Sequence, residues 1–248
     1  MAKVLLGTLS CGEADLPHCV RSVRAQTYPC QQYLIEDLPE HEANYRLYRT
    51  FFDSDADYMI RLDADMVLVA DDAVARMVER IERGGWHKVT HRVADFFTGH
   101  SILGIHIYGR RVVFDWDAFR SGELFPDRRN SVLQAAPEER QRIWKVYDEP
   151  LALHCHHASA EQAFHFGFHR RMKGQTEVCA RVAAHADRDA DPRLRLACLG
   201  VLAAAAWPSI QAVSYGLELQ ELMQRAASQW DLDAAPAAVH ALLGAPAA

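Results

Sequence analysis

Short apolar runs alternate with segments of helical periodicity along the first 85 residues of the chain. The predicted strands cover residues 3–9, 32–36 and 57–63, and the helices that follow them begin at Leu16, at 41 and at Asp71. Apolar residues in these helices recur every three or four positions, as in amphipathic helices. Strands that alternate with helices pair in parallel through crossover connections. The pattern therefore predicts an α/β sheet flanked by helices.

The second half of the chain is mixed at first and then helical. Further strands are predicted at 88–93, 102–113 and 151–155, with a loop and a short helix over 115–145. Ser159 and Gln162 have the spacing of a capping box, which predicts a helix through Arg171. Additional helices are expected over 176–230, broken at Pro192 and Pro208, and disorder is expected only after Asp233.

These elements suggest one main domain with an appendage. We expect an α/β domain over residues 1–175 and a C-terminal helical extension over 176–248 that packs on it. A chain of 248 residues is long enough for one substantial core.

Charge and cysteine usage narrow the function classes. The net charge is −6, and the basic residues are spread along the chain rather than massed. Since nucleic-acid binders usually carry a basic footprint, we expect no nucleic-acid partner. None of the six cysteines forms a Cys-x-x-Cys pair, which favours free thiols and a cytoplasmic location. The most apolar run, 194–207, is too short to span a bilayer, although peripheral contact with a membrane surface stays compatible with the sequence.

Polar residues follow the ends of all three N-terminal strands. They are Gly12, Asp37 and the pair Asp63 and Asp65. Ligands of parallel sheets bind beyond the carboxyl ends of the strands. Arg61 and Asp63 share one face of their strand, and Asp65 lies on that face or in the following turn. Paired carboxylates at a strand end predict a site for Mg²⁺ or Mn²⁺.

Three stretches of this region resemble the family-2-like glycosyltransferases of the GT-A fold. They are 9–29, which ends in Gln-Thr-Tyr-Pro; Tyr33-Leu-Ile-Glu-Asp37; and Asp57-Tyr-Met-Ile-Arg-Leu-Asp-Ala-Asp65, which is similar to the strand that carries the DxD motif. Their order and spacing match over residues 3–83. The resemblance implies a GT-A, Rossmann-like mixed sheet and a nucleotide-sugar-dependent transferase.

The resemblance also implies roles for individual residues. Leu9, Ser10 and Gly12 would line the nucleotide, together with Arg61 on the third predicted strand. Asp37 would contact the base. Asp63 would bind the donor or the metal, and Asp65 would ligate the metal. The chain departs from the family pattern at Ser10-Cys-Gly12 and at Asp37-Leu-Pro-Glu40. Both departures bear on which nucleotide base is recognised. UDP is the expected nucleotide.

The second half supplies further candidates. His154, at a predicted strand end, is the expected extra metal ligand, with His156 as the fallback. An inverting transferase needs a carboxylate to take the acceptor proton. Asp127 is the preferred candidate among Asp115, Asp117, Glu123 and Asp127. The implied reaction moves a sugar from a nucleoside diphosphate to a glycan or lipid-linked acceptor, as in bacterial surface polysaccharide synthesis.

Other readings of the sequence stay open. A zinc-dependent hydrolase would use the histidine-rich segment 154–169, in which Glu161, His165 and His169 share a predicted helix face. A non-catalytic scaffold could keep the GT-A fold. A nucleotidyltransferase also uses paired carboxylates, but normally has a basic, Gly-rich phosphate loop near its N-terminus, and residues 9–15 are not basic.

Overall fold

The computed structural model describes residues 1–112, 116, 144–208, 210 and 217–244. Contacts divide the chain into two compact units. Unit 1 comprises residues 1–94 and 101–154, and unit 2 comprises residues 95–100 and 155–248. This division lies earlier in the chain than the expected domain boundary at 175, which stays a prediction.

The expected alternation of strands and helices is confirmed in the first half of the chain. The elements are β1 (Val4–Ser10), α1 (Leu16–Arg24), β2 (Cys30–Glu36), α2 (Glu40–Asp53), β3 (Tyr58–Asp63), β4 (Met66–Leu68) and α3 (Ala73–Gly84). The three-residue strand β4 was not predicted.

Three strands and five helices follow in the described part of the second half. They are β5 (Lys88–Asp95), β6 (Ser101–Gly109), β7 (Trp144–His154), α4 (Ala160–Met172), α5 (Thr176–Ala186), α6 (Pro192–Ala206), α7 (Leu217–Gln229) and α8 (Ala235–Leu243). β7 begins well before the predicted strand at 151. The expectation of disorder after Asp233 is wrong for α8, which has a proline in its first turn and the left-handed Gly244 at its end.

The seven strands described form one mixed sheet in the order β2-β1-β3-β6-β5-β7-β4. The strands β2, β1 and β3 are parallel, whereas β6 runs antiparallel to β3 and β4 runs antiparallel to β7. Only Ala64 and Asp65 separate β3 from β4, although three strands lie between them in the sheet. The far edge of the sheet must therefore curl back toward the end of β3. The expected α/β fold with a mixed sheet flanked by helices is confirmed.

Both faces of the sheet are covered by apolar side chains. One face packs with α1 and α3 in a core that includes Leu6, Ile60 and Met77. The other face packs with α2, whose Leu47 lies directly over Gly7. A Cβ atom built at Gly7 would lie 2.1 Å from Leu47 Cδ1, so this glycine lets α2 approach the central strand.

Ionic contacts hold β7 against α3 within unit 1. The Glu149 carboxylate accepts hydrogen bonds from Arg76, at 2.7 Å, and from Arg80. Arg80 also contacts Nδ1 of the buried His91, whose ring stacks on Tyr147 with 5.5 Å between centroids. Burial, followed by the Arg80 charge, lowers the pKa of His91 to about 3. His91 is therefore neutral at physiological pH, and the Arg80 charge is balanced by Glu149.

Unit 2 is built on a close crossing of α4 and α6. The predicted capping box is present: Ser159 Oγ accepts from the Gln162 amide at 3.2 Å, and Gln162 Oε1 accepts from the Ser159 amide at 2.9 Å. Gly167 and Gly200 lie at the crossing. A Cβ at Gly167 would lie 1.8 Å from the Ala197 carbonyl oxygen, and one at Gly200 would lie 2.0 Å from a carbonyl oxygen of α4.

Replacing Gly200 with alanine is expected to destabilise the protein by about 1–3 kcal/mol, because the new methyl group meets backbone that cannot move aside. The control is Gly109→Ala, whose Cβ would have its nearest neighbour at 3.6 Å, an ordinary contact distance. Urea unfolding followed by circular dichroism would compare the two variants. A Gly200→Ala variant as stable as Gly109→Ala would contradict the close crossing.

Candidate functional site

The carboxyl ends of the parallel strands β2, β1 and β3 meet at one edge of unit 1. Leu9 lies opposite Asp63 in the β1–β3 register. Backbone contacts continue past the strands: the Asp37 amide donates to the Ser10 carbonyl at 3.1 Å, and the Ala64 amide donates to the Leu9 carbonyl at 3.0 Å. The loops that carry the predicted site residues therefore begin at adjacent points of this edge.

A glutamate that was not predicted organises the loop after β1. Glu13 Oε2 accepts a hydrogen bond from Ser10 Oγ at 2.8 Å and another from the Cys11 amide at 2.7 Å. The Gly12 amide donates to Ser10 Oγ at 3.2 Å, and Gly12 itself has φ +92°, a conformation that favours glycine. The Ser-x-x-Glu spacing of 10–13 was the available sequence signal for this contact.

Asp37 directly follows β2 in a left-handed backbone conformation, with φ 55°. Non-glycine residues adopt this region rarely, and Asp and Asn are the commonest among them. The residue is exposed. Its carboxylate is therefore accessible at the sheet edge, where the resemblance places a contact with the base.

Arg61 and Asp63 form an ion pair on one face of β3. Arg61 Nε donates to Asp63 Oδ1 at 3.2 Å, and an Arg61 terminal nitrogen lies 3.1 Å from the same oxygen. Arg61 is only 8% exposed, whereas the Asp63 side chain is 37% exposed. A buried guanidinium needs a partner to offset its desolvation, and Asp63 supplies one while keeping access to solvent.

Asp65 pairs with a histidine from the other end of the sheet. His154 Nε2 lies 3.2 Å from Asp65 Oδ2, and the two side chains are 8% and 25% exposed. The contact follows from the curl of the sheet, because Met66 of β4 lies opposite His154 of β7. His154 ends β7 as predicted, and its imidazole lies beside the Asp65 carboxylate.

The two carboxylates of the Asp-Ala-Asp stretch thus have different partners. Asp63 contacts Arg61, and Asp65 contacts His154. Among the described residues, Asp65 and His154 belong to a cluster of side chains whose potential metal-ligand atoms lie within 4.8 Å of one another. Asp63 is not part of that cluster. A metal-binding role for Asp63 stays a prediction.

The remaining sequence candidates are outside the described residues or belong to unit 2. Asp127, the preferred catalytic base, is outside the described residues, as are Asp115, Asp117 and Glu123. His156, the fallback ligand, belongs to unit 2, where its carbonyl accepts from Arg193 at 2.8 Å.

The zinc alternative gains no support from the described part of α4. The rings of His165 and His169 stack with 5.5 Å between centroids, and Glu161 accepts from Gln220 at 2.5 Å. Among the described side chains, these three do not form a cluster with ligand atoms within 4.8 Å of one another.

Two cysteine thiols near the strand ends, those of Cys11 and Cys19, lie close to several carboxylates. Burial, followed by the charges of Glu13, Glu40 and Asp63, raises the pKa of Cys11 to about 11. Burial also raises the pKa of Cys19, to about 12, and Asp65, Asp63 and Asp15 add to it. Each of these carboxylates disfavours a further negative charge nearby. These carboxylates would also oppose the binding of an anionic ligand at this edge.

No protein-family model matches the chain, and no curated protein sequence matches it. Several solved structures are similar. Mannosyltransferase PcManGT from Pyrobaculum calidifontis, in complex with GDP-Man and Mn²⁺, is 14% identical, with 96% of this chain and 86% of that chain covered and a TM-score of 0.42. A glycosyltransferase involved in glycosylation of the major capsid of PBCV-1 is 12% identical, with coverages of 63% and 94% and a TM-score of 0.39.

TarS from S. aureus is 11% identical, with 97% of this chain and 83% of that chain covered and a TM-score of 0.38. Likenesses at this identity and TM-score leave the function to be inferred from the residues of this chain. None of the helices in the described segments combines the length and the apolar character needed to cross a membrane.

The raised pKa of Cys11 predicts slow alkylation of this exposed thiol near neutral pH, since the thiolate is the nucleophile. The rate with iodoacetamide should keep rising as the pH increases toward about 11. Glu13→Gln removes one negative neighbour, so it should lower the pKa and increase the rate at pH 8. Mass spectrometry of the peptide that contains Cys11 would follow the reaction, with Asp53→Asn as a matched distant control. A plateau already reached near pH 8.5 would contradict the raised pKa of Cys11.

Proposed function

We propose that this chain is a metal-dependent glycosyltransferase that moves a sugar from a nucleoside-diphosphate donor to a glycan or lipid-linked acceptor. The observation that carries the proposal is the Asp65–His154 pair, which lies next to the carboxyl ends of three strands. A mixed α/β sheet offers its ligand site at this edge. The DxD resemblance of residues 57–65 supports a nucleotide-sugar as the ligand.

The charges at the edge support a requirement for metal. A nucleoside diphosphate is an anion, and Glu13, Asp63 and Asp65 all raise thiol pKa values at this edge. Arg61 is a nearby cation, but its guanidinium is already paired with Asp63. Like charges a few ångströms apart repel by several kcal/mol at the dielectric of a protein surface, on the order of 4 kcal/mol at 4 Å. A diphosphate is therefore expected to bind with a divalent cation rather than alone.

The ligands fit such a cation. Asp65 offers a carboxylate oxygen and His154 an imidazole nitrogen, 3.2 Å apart; the histidine is buried and the aspartate is partly exposed. Carboxylates suit Mg²⁺ and Mn²⁺, while an imidazole favours a transition-metal ion, so the pair favours Mn²⁺ of the two. A divalent cation held there would offset the negative charge that develops on the diphosphate leaving group.

The remaining residues would bind and orient the donor. Arg61 fixes the Asp63 carboxylate in place, so that its solvent-accessible oxygen can accept from a ribose hydroxyl. Asp37 presents its carboxylate for the base, with UDP as the expected nucleotide. The loop of Ser10 and Gly12, held by Glu13, would form the wall beside the nucleotide together with Leu9. The sequence resemblance supports Asp127 as the base that takes the acceptor proton. It also supports a role in surface polysaccharide synthesis.

Calorimetric titration of UDP, GDP and CMP, with and without Mn²⁺, tests the proposal. We expect one nucleoside diphosphate to bind only when Mn²⁺ is present. Asp65→Ala and His154→Ala should each weaken that binding tenfold or more, because each removes a ligand of the ion. Direct titration of Mn²⁺ into the same variants would separate loss of the ion from loss of the nucleotide.

Asp53→Asn is the matched control, since Asp53 forms an exposed ion pair with Arg49 on α2. It should bind the nucleotide like the wild-type protein. Failure of the folded wild-type protein to bind any of the three nucleotides would overturn the proposal. Nucleotide binding that is equally tight without Mn²⁺ would contradict the proposed metal dependence.

A further inference from the structure

The loop after β1 already holds a negatively charged oxygen. Glu13 Oε2 accepts hydrogen bonds from Ser10 Oγ at 2.8 Å and from the Cys11 amide at 2.7 Å. The amide contact has the short length that is typical of a charged acceptor. The Gly12 amide donates to Ser10 Oγ at 3.2 Å, which leaves the single hydroxyl proton of Ser10 for Glu13. Two donors therefore converge on one carboxylate oxygen.

These two donors would suit a phosphate oxygen as well as they suit Glu13. Backbone amides of loops are common donors to phosphate groups in proteins. A non-bridging phosphate oxygen, like a carboxylate oxygen, is an anionic acceptor of hydrogen bonds. A phosphate oxygen and Glu13 Oε2 would therefore compete for the Cys11 amide and the Ser10 hydroxyl.

The loop lies at the strand edge where the proposed donor site begins. Leu9, at the end of β1, lies opposite Asp63 in the β1–β3 register. The charges of Glu13 and Asp63 both add to the burial that raises the pKa of Cys11, so both carboxylates lie near this loop. A diphosphate bound near Asp63 would meet the charge of Glu13 as well as the donors that Glu13 occupies.

Glu13 differs from Ser10 in its exposure. Ser10 is 4% exposed, whereas Glu13 is only partly buried. The carboxylate can therefore rotate into water while the Ser10 hydroxyl stays in place. Cys11 and Gly12 are exposed, so a ligand can approach this loop from solvent.

We propose that Glu13 is an internal competitor for a phosphate oxygen of the donor, and that it makes nucleotide binding conditional on a divalent cation. Without a cation, the carboxylate keeps the Cys11 amide and the Ser10 hydroxyl occupied and repels the diphosphate. A diphosphate whose charge is offset by a cation meets less repulsion, and one of its oxygens can then replace Glu13 Oε2 on the two donors. This assignment rests on the proposed function, to which it adds the residue that determines when the donor binds.

The test is calorimetric titration of pyrophosphate into the full-length protein in EDTA. We expect Glu13→Ala to bind pyrophosphate at least about tenfold more tightly than the wild-type protein, because the variant frees two hydrogen-bond donors and loses a repulsive charge. Glu13→Gln keeps a side-chain oxygen that can accept from both donors, so its gain in affinity should be smaller. A carboxylate that only shaped the loop would give the opposite result, since its removal would weaken the binding of an anion.

Glu177→Ala is the matched control, since it removes the same charge from an exposed ion pair with Arg181 on α5. Circular dichroism would show whether each variant is folded. A pyrophosphate affinity that is unchanged or lower in folded Glu13→Ala would overturn the assignment, and so would an equal gain in Glu13→Gln or in Glu177→Ala. If Glu13→Ala does not fold, the absence of any gain in Glu13→Gln would overturn it.

Titration of UDP, GDP and CMP with Mn²⁺ into the wild-type protein separates two kinds of failure. Nucleotide binding by the wild-type protein, together with no gain in Glu13→Ala, removes only the role of Glu13. A folded wild-type protein that binds none of the three nucleotides overturns the proposed transferase and, with it, the role of Glu13 in donor binding.

Discussion

The connection between β3 and β4 determines how unit 1 brings its site together. Two residues, Ala64 and Asp65, join a central strand to the strand at the far edge of the sheet. A link this short spans about 10 Å at most, so the edge strands must return to the end of β3. His154 of β7 meets Asp65 because β7 pairs with β4. The Asp65–His154 contact is thus a consequence of sheet closure, and residues far apart in the sequence contribute to one site.

Parallel pairing fixes the other half of the site. β1 lies between β2 and β3, so the loops after these strands begin side by side. The small Gly7 in β1 allows Leu47 of α2 to pack against the sheet. On the same face, Arg61 remains buried and keeps Asp63 oriented toward the edge. Core packing and site geometry therefore depend on the same face of two neighbouring strands, β1 and β3.

The N-terminal half of the fold could be predicted because its elements are long enough to show periodicity and are separated by clear turn signals. β4 has only three residues, which is too short for a recognisable pattern. α8 was missed because its Ala/Pro-rich composition suggested disorder, whereas Val239 and His240 are buried in unit 2. The strand-end residues were predictable from the order of strands. The Asp65–His154 distance was not, since it depends on the curl of the sheet.

Glu13 shows a different limit of sequence reading. A glycine-containing loop after a first strand suggests free backbone amides for a phosphate, but here the Cys11 amide donates to Glu13 and the Gly12 amide donates to Ser10 Oγ. Such amides can form an anion-binding concavity only when they are not already bonded. The protein has therefore committed these donors to its own structure. In the proposed transferase, the apparent affinity for the donor would therefore rise and fall with the concentration of divalent cation, so that the supply of metal would set the rate of sugar transfer.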